Sequence, residues 1–350
     1  MQRFVHQYVK RKTKSVETER LVGDPVIHLL YSRIRENAPF LFNQLVSKRA
    51  SSLLGFLNYD LNHWRFTNQR LAKAGPGRED KPVFAVRAFK DLDINPEEIW
   101  GQVEDFDTYR KIFERQIRYW EFRPMPDDPC CVVSPADARV LTGSFPTQKM
   151  LFIKETFFFY NELIGPDKAQ WLKVFSQGDY AIFRLTPDKY HYNHAPVSGQ
   201  VVDTYEIDGT YHSCNPGAVV QSVTPFSKNR RTVTIIDTDV DRGTRVGRVA
   251  MVEIVAMMIG RIDQCYSVER YDFPKPLKTG SFVQKGQPKS LFAPGSSTTV
   301  LIFEKNRIQF SQDLLANQNR SDVKSRFTRG FERPLVETDL NVRETIGEAI

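Results

Sequence analysis

The chain changes texture once, at Pro124-Met125-Pro126, and that change limits the folds open to it. Ahead of it, apolar residues recur at helical spacing: Ile27, Leu30 and Ile34, then Leu41, Leu45 and Val46, then Leu53, Leu54 and Leu57, with Pro39 dividing the series. Further helical turns are predicted after Asn95-Pro96, where proline suits a first turn, and from Asp107, where Tyr109, Phe113, Ile117 and Trp120 recur one turn apart. Ala72 to Asp80 (AKAGPGRED) reads as a loop. Beyond the break come short β-branched and aromatic runs (CCVVS, YAIFRL, GQVVDTYEI, RTVTIIDT, RVAMVEIVAMMI, STTVLIF) separated by Gly, Pro, Asp and Asn. No helical pattern lies between each pair of runs, which argues against a doubly wound parallel sheet. The prediction is an α+β fold, with a helical N-terminal region over residues 1–124 and a β-rich antiparallel or mixed core over 125–350. The polar stretch after Phe310 (SQDLLANQNRSDVKSR) predicts a surface segment and tail.

Lys plus Arg total 49 against 42 for Asp plus Glu, a formal net charge of +7 that favours an anionic partner without choosing among phosphate, nucleic acid and lipid headgroup. No run of about 18 apolar residues is present. The most apolar stretch, Val249 to Ile259, is interrupted by Glu253 and reads as core. The basic N-terminus lacks the apolar segment of a secretory signal, so a cytoplasmic chain is expected. Cys130, Cys131, Cys214 and Cys265 show no Cys-x-x-Cys spacing and read as free thiols.

Three short segments hold residues that could do chemistry. His191 and His194 lie in KYHYNHAP, a spacing that could hold a metal on a helix; Pro187 and Pro196 flank it and no Glu lies between, so no metal site is expected. A general base needs only one imidazole in reach of a partner, and a hydrogen-bonded structural pair is the plainer alternative. Asp137, in VSPADAR, follows an apolar run and a proline, where Asp commonly closes a local turn. Ser296 and Ser297 precede the apolar run Val300 to Phe303, where serine is ordinarily just a turn residue. Together they are the parts of a Ser-His-Asp arrangement, in which imidazole removes the hydroxyl proton. The Gly-x-Ser-x-Gly elbow is absent and the sheet texture does not suit an α/β-hydrolase.

The order of these segments resembles the phosphatidylserine decarboxylase family. The resemblance is carried by Ser134-Pro135-Ala136-Asp137, then Tyr190-His191-x-x-His194-x-Pro196-Val197-x-Gly199, then Asn229-Arg230-Arg231, then Lys285-Gly286 leading to Gly295-Ser296-Ser297-Thr298. It runs from about residue 105 to 350, with Tyr109 to Arg123 similar to the helix ahead of the family's core and Glu344-Thr345-x-Gly347-Glu348 to its closing segment. The resemblance implies a proenzyme that cuts itself. A serine attacks the carbonyl of the preceding residue, the peptide becomes an ester, and elimination leaves a pyruvoyl group on the new α chain, so no external cofactor or metal is required. Motif matching carries Asp137 and His194 over as the partners of that serine and His191 as the histidine that serves the substrate. The family's Gly-Ser-Thr stands here as Gly295-Ser296-Ser297-Thr298. Register taken from the strand ending at Phe303 selects Ser297 as pyruvoyl precursor; register taken from Gly295 selects Ser296. We prefer the strand, because a one-residue slip turns every side chain to the other face. The expected products are a β chain of residues 1–296 and an α chain of residues 297–350 that stay associated. Asp137 is followed by Ala138 where the family commonly has glycine, a departure that would strain the turn if it needs a positive φ.

By the same resemblance, the reaction converts phosphatidylserine to phosphatidylethanolamine and carbon dioxide through a Schiff base, with the pyruvoyl group as electron sink and His191 as proton donor. The basic balance and the helical region suit docking on an anionic phospholipid surface. Leu53, Leu54, Phe56 and Leu57 are candidate contacts, equally explained as helix packing. The protein is expected to be cytoplasmic or peripheral on the cytoplasmic face of a membrane, with no nucleic-acid partner and with room for a homo-oligomer. A free amino acid, aromatic ones included, is the alternative substrate. A catalytically silent membrane-binding protein, its 40.5 kDa chain uncut, is the alternative from another class. A metal-dependent hydrolase built on His191 and His194 ranks last.

Overall fold

The computed structural model describes residues 5–21, 24–60, 81–145, 157–222, 224–258, 261–294 and 297–350. The loop predicted over Ala72 to Asp80 lies outside the described residues, as do Gly295 and Ser296. In chain order the strands are β1 (Gln7–Lys10), β2 (Val16–Thr18), β3 (Cys131–Val133), β4 (Ala138–Ser144), β5 (Asp179–Leu185), β6 (Tyr192–His194), β7 (Gly199–Ile207) and β8 (Arg231–Asp237). There follow β9 (Arg248–Ile254), β10 (Ile262–Gln264), β11 (Phe282–Val283), β12 (Pro288–Phe292), β13 (Ser297–Phe303), β14 (Ile308–Phe310), β15 (Thr338–Leu340) and β16 (Thr345–Ala349). The fold is α+β. A ten-stranded sheet runs in the order β11-β7-β8-β9-β13-β5-β4-β15-β1-β2, with β1 and β15 parallel and its other pairs antiparallel. Two three-stranded sheets, β10-β12-β6 and β14-β16-β3, complete the strands.

Strand β13 is apolar at consecutive positions because both of its faces are covered. Leu301 and Phe303 pack with Val140, Phe183, Val201 and Met251, while Val300 and Ile302 pack with Leu141, Ile182, Val233 and Val252 on the other side. The two-residue period of a strand thus feeds two separate cores, each large side chain contributing about 1.5–3 kcal/mol on burial. Its register on β5 runs from Ser297 opposite Leu185 to Phe303 opposite Asp179, so the strand opens at Ser297.

The helices at Pro39–Leu45 and Lys48–Gly55 follow the predicted spacing, and Ser47 caps the second by accepting the Ala50 N–H at 3.4 Å. Ile27, Leu30, Tyr31, Phe42 and Val46 bury against Ala218 and Met257. Gly55 runs so close to the Met258 carbonyl that a Cβ there would lie 2.8 Å from it. Leu53 and Phe56 are exposed, and Leu54 and Leu57 are half-buried. The stretch after Asp107 forms two short helices, Tyr109–Phe113 and Tyr119–Phe122, and not a continuous one. It breaks where Ile117 forms a β-bridge with Ile99. None of the four cysteines forms a disulfide. Among the described residues no helix is long and apolar enough to cross a membrane.

Two segments differ from the sequence reading. The basic N-terminal stretch forms the β1–β2 hairpin, which extends the main sheet ahead of the helices. It is held by charge more than by apolar pattern, which is why periodicity missed it. Buried Arg184 bridges Glu19 and Glu337, its Nη2 lying 2.6 Å from a carboxylate oxygen of each; Arg139 joins Glu19 and His6 joins Glu337. His6, Glu19 and Glu337 have the spacing of metal ligands, but the two guanidinium groups already neutralise the two carboxylates. The second segment is the polar stretch after Phe310. It is no tail: helices Gln312–Gln318 and Arg326–Phe331 bury Leu314, Phe327 and Phe331, and β15 and β16 are built into sheets. Its apolar residues are few, but those three all face inward.

Candidate active site

The Ser134–Asp137 turn leads from β3 into β4. The Ser134 hydroxyl donates to the Ala136 carbonyl at 2.7 Å and fixes the turn. Asp137 emerges from it into a buried site where Arg123 Nε donates to Oδ1 at 3.1 Å and Nη2 to Oδ2 at 2.8 Å, and the Val342 N–H donates to Oδ1 at 2.8 Å. Burial alone would raise the pKa of this carboxyl; the Arg123 charge and these hydrogen bonds outweigh it, and the net shift is downward. Asp137 is therefore a fixed anion. Ala138 opens β4 in extended backbone, so the position makes no demand for glycine.

His194 is tied to the same turn, since its N–H donates to the Pro135 carbonyl at 2.7 Å. It ends β6, which pairs with β12. Because β6 is extended, consecutive side chains face opposite ways. Asn193 reaches β13 and β9, whereas His194 lies against Tyr119 (ring centroids 4.7 Å, edge-on) and Tyr190. His194 Nδ1 lies 2.8 Å from the Gly286 carbonyl and Nε2 lies 2.9 Å from the Tyr190 hydroxyl. Lys285-Gly286, quoted as a motif from the sequence, is thus at the histidine. His191 stacks on Phe113 with ring centroids 3.4 Å apart, and neither of its ring nitrogens has a hydrogen-bond partner of normal geometry. Burial, the largest effect, pushes both imidazoles down to about 3. The Arg115 charge adds to this at His191; at His194, Arg343 and Arg123 lower further while Gly286 and Asp137 oppose. Both rings are neutral near pH 7.

Ser297 opens β13, fully buried, and its hydroxyl has no partner among the described residues. Its carbonyl accepts a weak Cys214 S–H contact at 3.9 Å. The loop carrying Cys214 is held by Asn229, which accepts the His212 N–H at 2.7 Å and donates to the His212 and Val255 carbonyls at 2.9 and 2.8 Å. Arg231 donates to the Leu163 and Asn229 carbonyls. The Asn229-Arg230-Arg231 segment therefore backs the serine. Two residues along β13, the Thr299 hydroxyl donates to Asn193 Oδ1 at 2.9 Å and ties the serine strand to the histidine strand.

The Asp137 and His194 segments meet directly at Pro135, with Gly286 beside them, whereas the strand that carries Ser297 is tied through Thr299 to Asn193, whose side chain leaves β6 on the face opposite His194. Among the described residues no hydrogen bond joins Asp137 to His194 or His194 to Ser297. The carbonyl that orients the imidazole belongs to Gly286, and Asp137 acts on His194 through charge. His191 and His194 lie on different aromatic partners. Arg123, Asn193 and Tyr190 escaped sequence reasoning, although each sits inside a segment already singled out.

A fixed anion, two neutral imidazoles and an unpartnered buried hydroxyl are the parts of nucleophilic and general-base chemistry. The phosphatidylserine decarboxylase family profile matches residues 109–328, which span all of them. A phosphatidylserine decarboxylase proenzyme of Fusobacterium nucleatum is 29% identical over 323 residues, covering 91% of this chain and 94% of the relative. One of Clostridium perfringens is 29% identical over 340 residues (96% and 97%), and proenzyme 2 of Oryza sativa is 36% identical over 247 (69% and 36%). The chain belongs to the phosphatidylserine decarboxylase family and is a carboxy-lyase.

Proposed function

We propose that this chain is a self-processing proenzyme that, once cut, decarboxylates phosphatidylserine to phosphatidylethanolamine. The observation that carries the reading is the Ser297 hydroxyl, buried and unpartnered at the head of the central strand. A buried hydroxyl with no partner among the described residues is available as a nucleophile. The relatives named above are called proenzymes, in keeping with this.

In the proposed processing, Ser297 Oγ gives its proton to neutral His194 and adds to the carbonyl of residue 296, which moves the acyl group from nitrogen to oxygen. Loss of the Ser297 Cα proton then expels the carboxylate of residue 296, and one water converts the remaining enamine to a pyruvoyl group with release of ammonia. The Asp137 anion favours the imidazolium that forms on His194. A pyruvoyl group at residue 297 would supply the electron sink that decarboxylation needs. His191 returns a proton to the substrate carbon. An anionic substrate beside this buried imidazole raises its proton affinity, which suits it to that task.

The exposed Val26, Leu29, Phe40, Leu41, Leu53 and Phe56 of the N-terminal helices, interspersed with exposed Arg33, Lys48 and Arg49, support peripheral docking on anionic lipid.

Intact mass after denaturation tests the reading. Fragments of residues 1–296 and 297–350 are expected, the second bearing a carbonyl, together with carbon dioxide release from phosphatidylserine vesicles. An uncut 40.5 kDa chain overturns it. A cut after Gly295 transfers the role to Ser296, and release from free amino acids alone changes the substrate but not the processing.

A further inference from the structure

The buried polar groups beside β13 fix which way Asn193 faces. Lys289 Nζ can only donate, and it lies 2.7 Å from Glu253 Oε2. Ser290 spends its one proton on Glu253 Oε1 and keeps only lone pairs for Asn193. The Asn193 amide therefore turns its Nδ2 toward Ser290 Oγ (3.3 Å) and Glu253 Oε1 (3.4 Å), and its Oδ1 toward β13. There it accepts from the Thr299 hydroxyl at 2.9 Å. Lys289, Glu253, Ser290, Asn193 and Thr299 are all fully buried, and among the described residues no other donor reaches Asn193 Oδ1. A buried network of this kind is best accounted for where it sets a register.

Thr299 stands opposite Glu253 on β9 and opposite Phe183 on β5. Ser297 is two residues ahead of it on the same strand, hence on the same face. The ladder with β9 starts only at Thr298, so strand pairing holds Ser297 on the β5 side alone. The sequence at this point, Ser296-Ser297-Thr298-Thr299, is also repetitive: moved along by one residue, Ser296 would take the place of Ser297 and Thr298 that of Thr299. A one-residue bulge after Thr298 would take up that shift and leave the apolar Val300 to Phe303 where they are. Residue type alone therefore does not choose between the two serines. In the observed register Thr299 meets Asn193, while the Thr298 hydroxyl, on the opposite face, has no partner among the described residues. We infer that Asn193 selects the nucleophile by spacing: the serine that attacks is the one two residues ahead of the threonine bonded to Asn193 Oδ1. This assignment rests on the self-processing proposed above and adds a positioning residue to it.

The test is where freshly synthesised full-length chain is cut, read from the intact masses of its fragments. Thr299→Val keeps the shape of the side chain and removes the donor, so that only Thr298 is left to satisfy Asn193 Oδ1. The fragment beginning at residue 296 should then gain on the one beginning at residue 297 by about ten-fold or more, the scale of one buried acceptor left unpaired. Combining Thr299→Val with Asn193→Leu removes the demand for a donor, and the cut should return to the bond before Ser297. Thr299→Ser keeps the hydroxyl and should keep the single cut before Ser297. A role confined to packing would change the rate of cutting or the stability of the fold, but not the bond that is cut. Should Thr299→Val not fold, Thr299→Ala lacks the same hydroxyl and carries the test. A folded variant without the hydroxyl that is cut only before Ser297, or not at all, overturns the inference and leaves the proposed function intact. So does a shifted cut in Thr299→Ser or in the double variant, or an unaltered chain cut before Ser296. An unaltered chain that is not cut overturns both.

Discussion

Lys289 Nζ and Glu253 Oε2 meet at 2.7 Å with both side chains fully buried, in the space between the main sheet and the β10-β12-β6 sheet. Gln264 bonds both, donating to Glu253 at 3.0 Å and accepting from Lys289 at 2.8 Å. Ser290 donates to the other Glu253 oxygen, and Asn193 lies at the edge of the same network with Thr299 beyond it. Desolvating two charges is costly, and removing one partner of such a pair costs about 3–5 kcal/mol because the other stays buried and uncompensated.

Lys289→Met should therefore lower unfolding free energy by about that amount in urea titrations. The double variant Lys289→Met with Glu253→Gln should recover more than half of the loss, since neutral groups of similar shape leave no bare charge. A double variant as unstable as the single one would mean that the network stabilises through its packing and not its charge balance.

This pair also marks where sequence reasoning stopped. Glu253 is visible as the one charge in an apolar run, enough to exclude a membrane span, but its partner is 36 residues away on another sheet and only the fold brings them together. The strand over STTVLIF was legible, because a short β-branched and apolar run of that length reads as a buried strand. The opposed directions of Asn193 and His194 follow from the extended β6. The orienting role of Gly286 was not legible, since a backbone carbonyl has no signature in a sequence. Neither was the β1–β2 hairpin, whose anchor of Arg184, Glu19 and Glu337 is assembled from three distant segments.

Acid sensitivity should begin well above the carboxylate range. Burial holds His191 and His194 down to about 3 and His212 down to about 4, whereas in the unfolded chain each titrates near 6.5. Between those values the unfolded state binds protons that the folded state refuses, so stability is lost as pH falls from about 6.5 toward 3. Each histidine adds up to about 1.4 kcal/mol per pH unit in that window. Unfolding free energies at pH 7, 6 and 5 should fall progressively, and His191→Leu should reduce the slope by roughly one proton. Equal slopes for the two chains would show that His191 is not held neutral in the fold.

Docking should depend on the two most exposed members of the predicted apolar set. Leu53→Asp combined with Phe56→Asp changes residues that pack little against the protein, so folding and self-processing should be unaffected. Co-sedimentation with vesicles containing phosphatidylserine should weaken by about ten-fold or more, the equivalent of one large side chain withdrawn from an apolar phase. Unchanged sedimentation would move the docking surface elsewhere.

The two histidines should separate maturation from turnover. His194 is joined to the Asp137 turn and to Gly286, whereas His191 lies against Phe113 with both nitrogens unspent. His191→Ala should still yield the two chains and their carbonyl, because processing draws on His194 alone, but carbon dioxide release should fall by about a hundred-fold or more, the scale of a lost general acid. His194→Ala should remain a single chain, so its inactivity reflects a cofactor never made. Mass analysis of each variant before the assay distinguishes the two failures. Normal turnover by His191→Ala removes its proton-donor role, and a normally processed His194→Ala removes the base from the mechanism, leaving Ser297 to be activated by some other group.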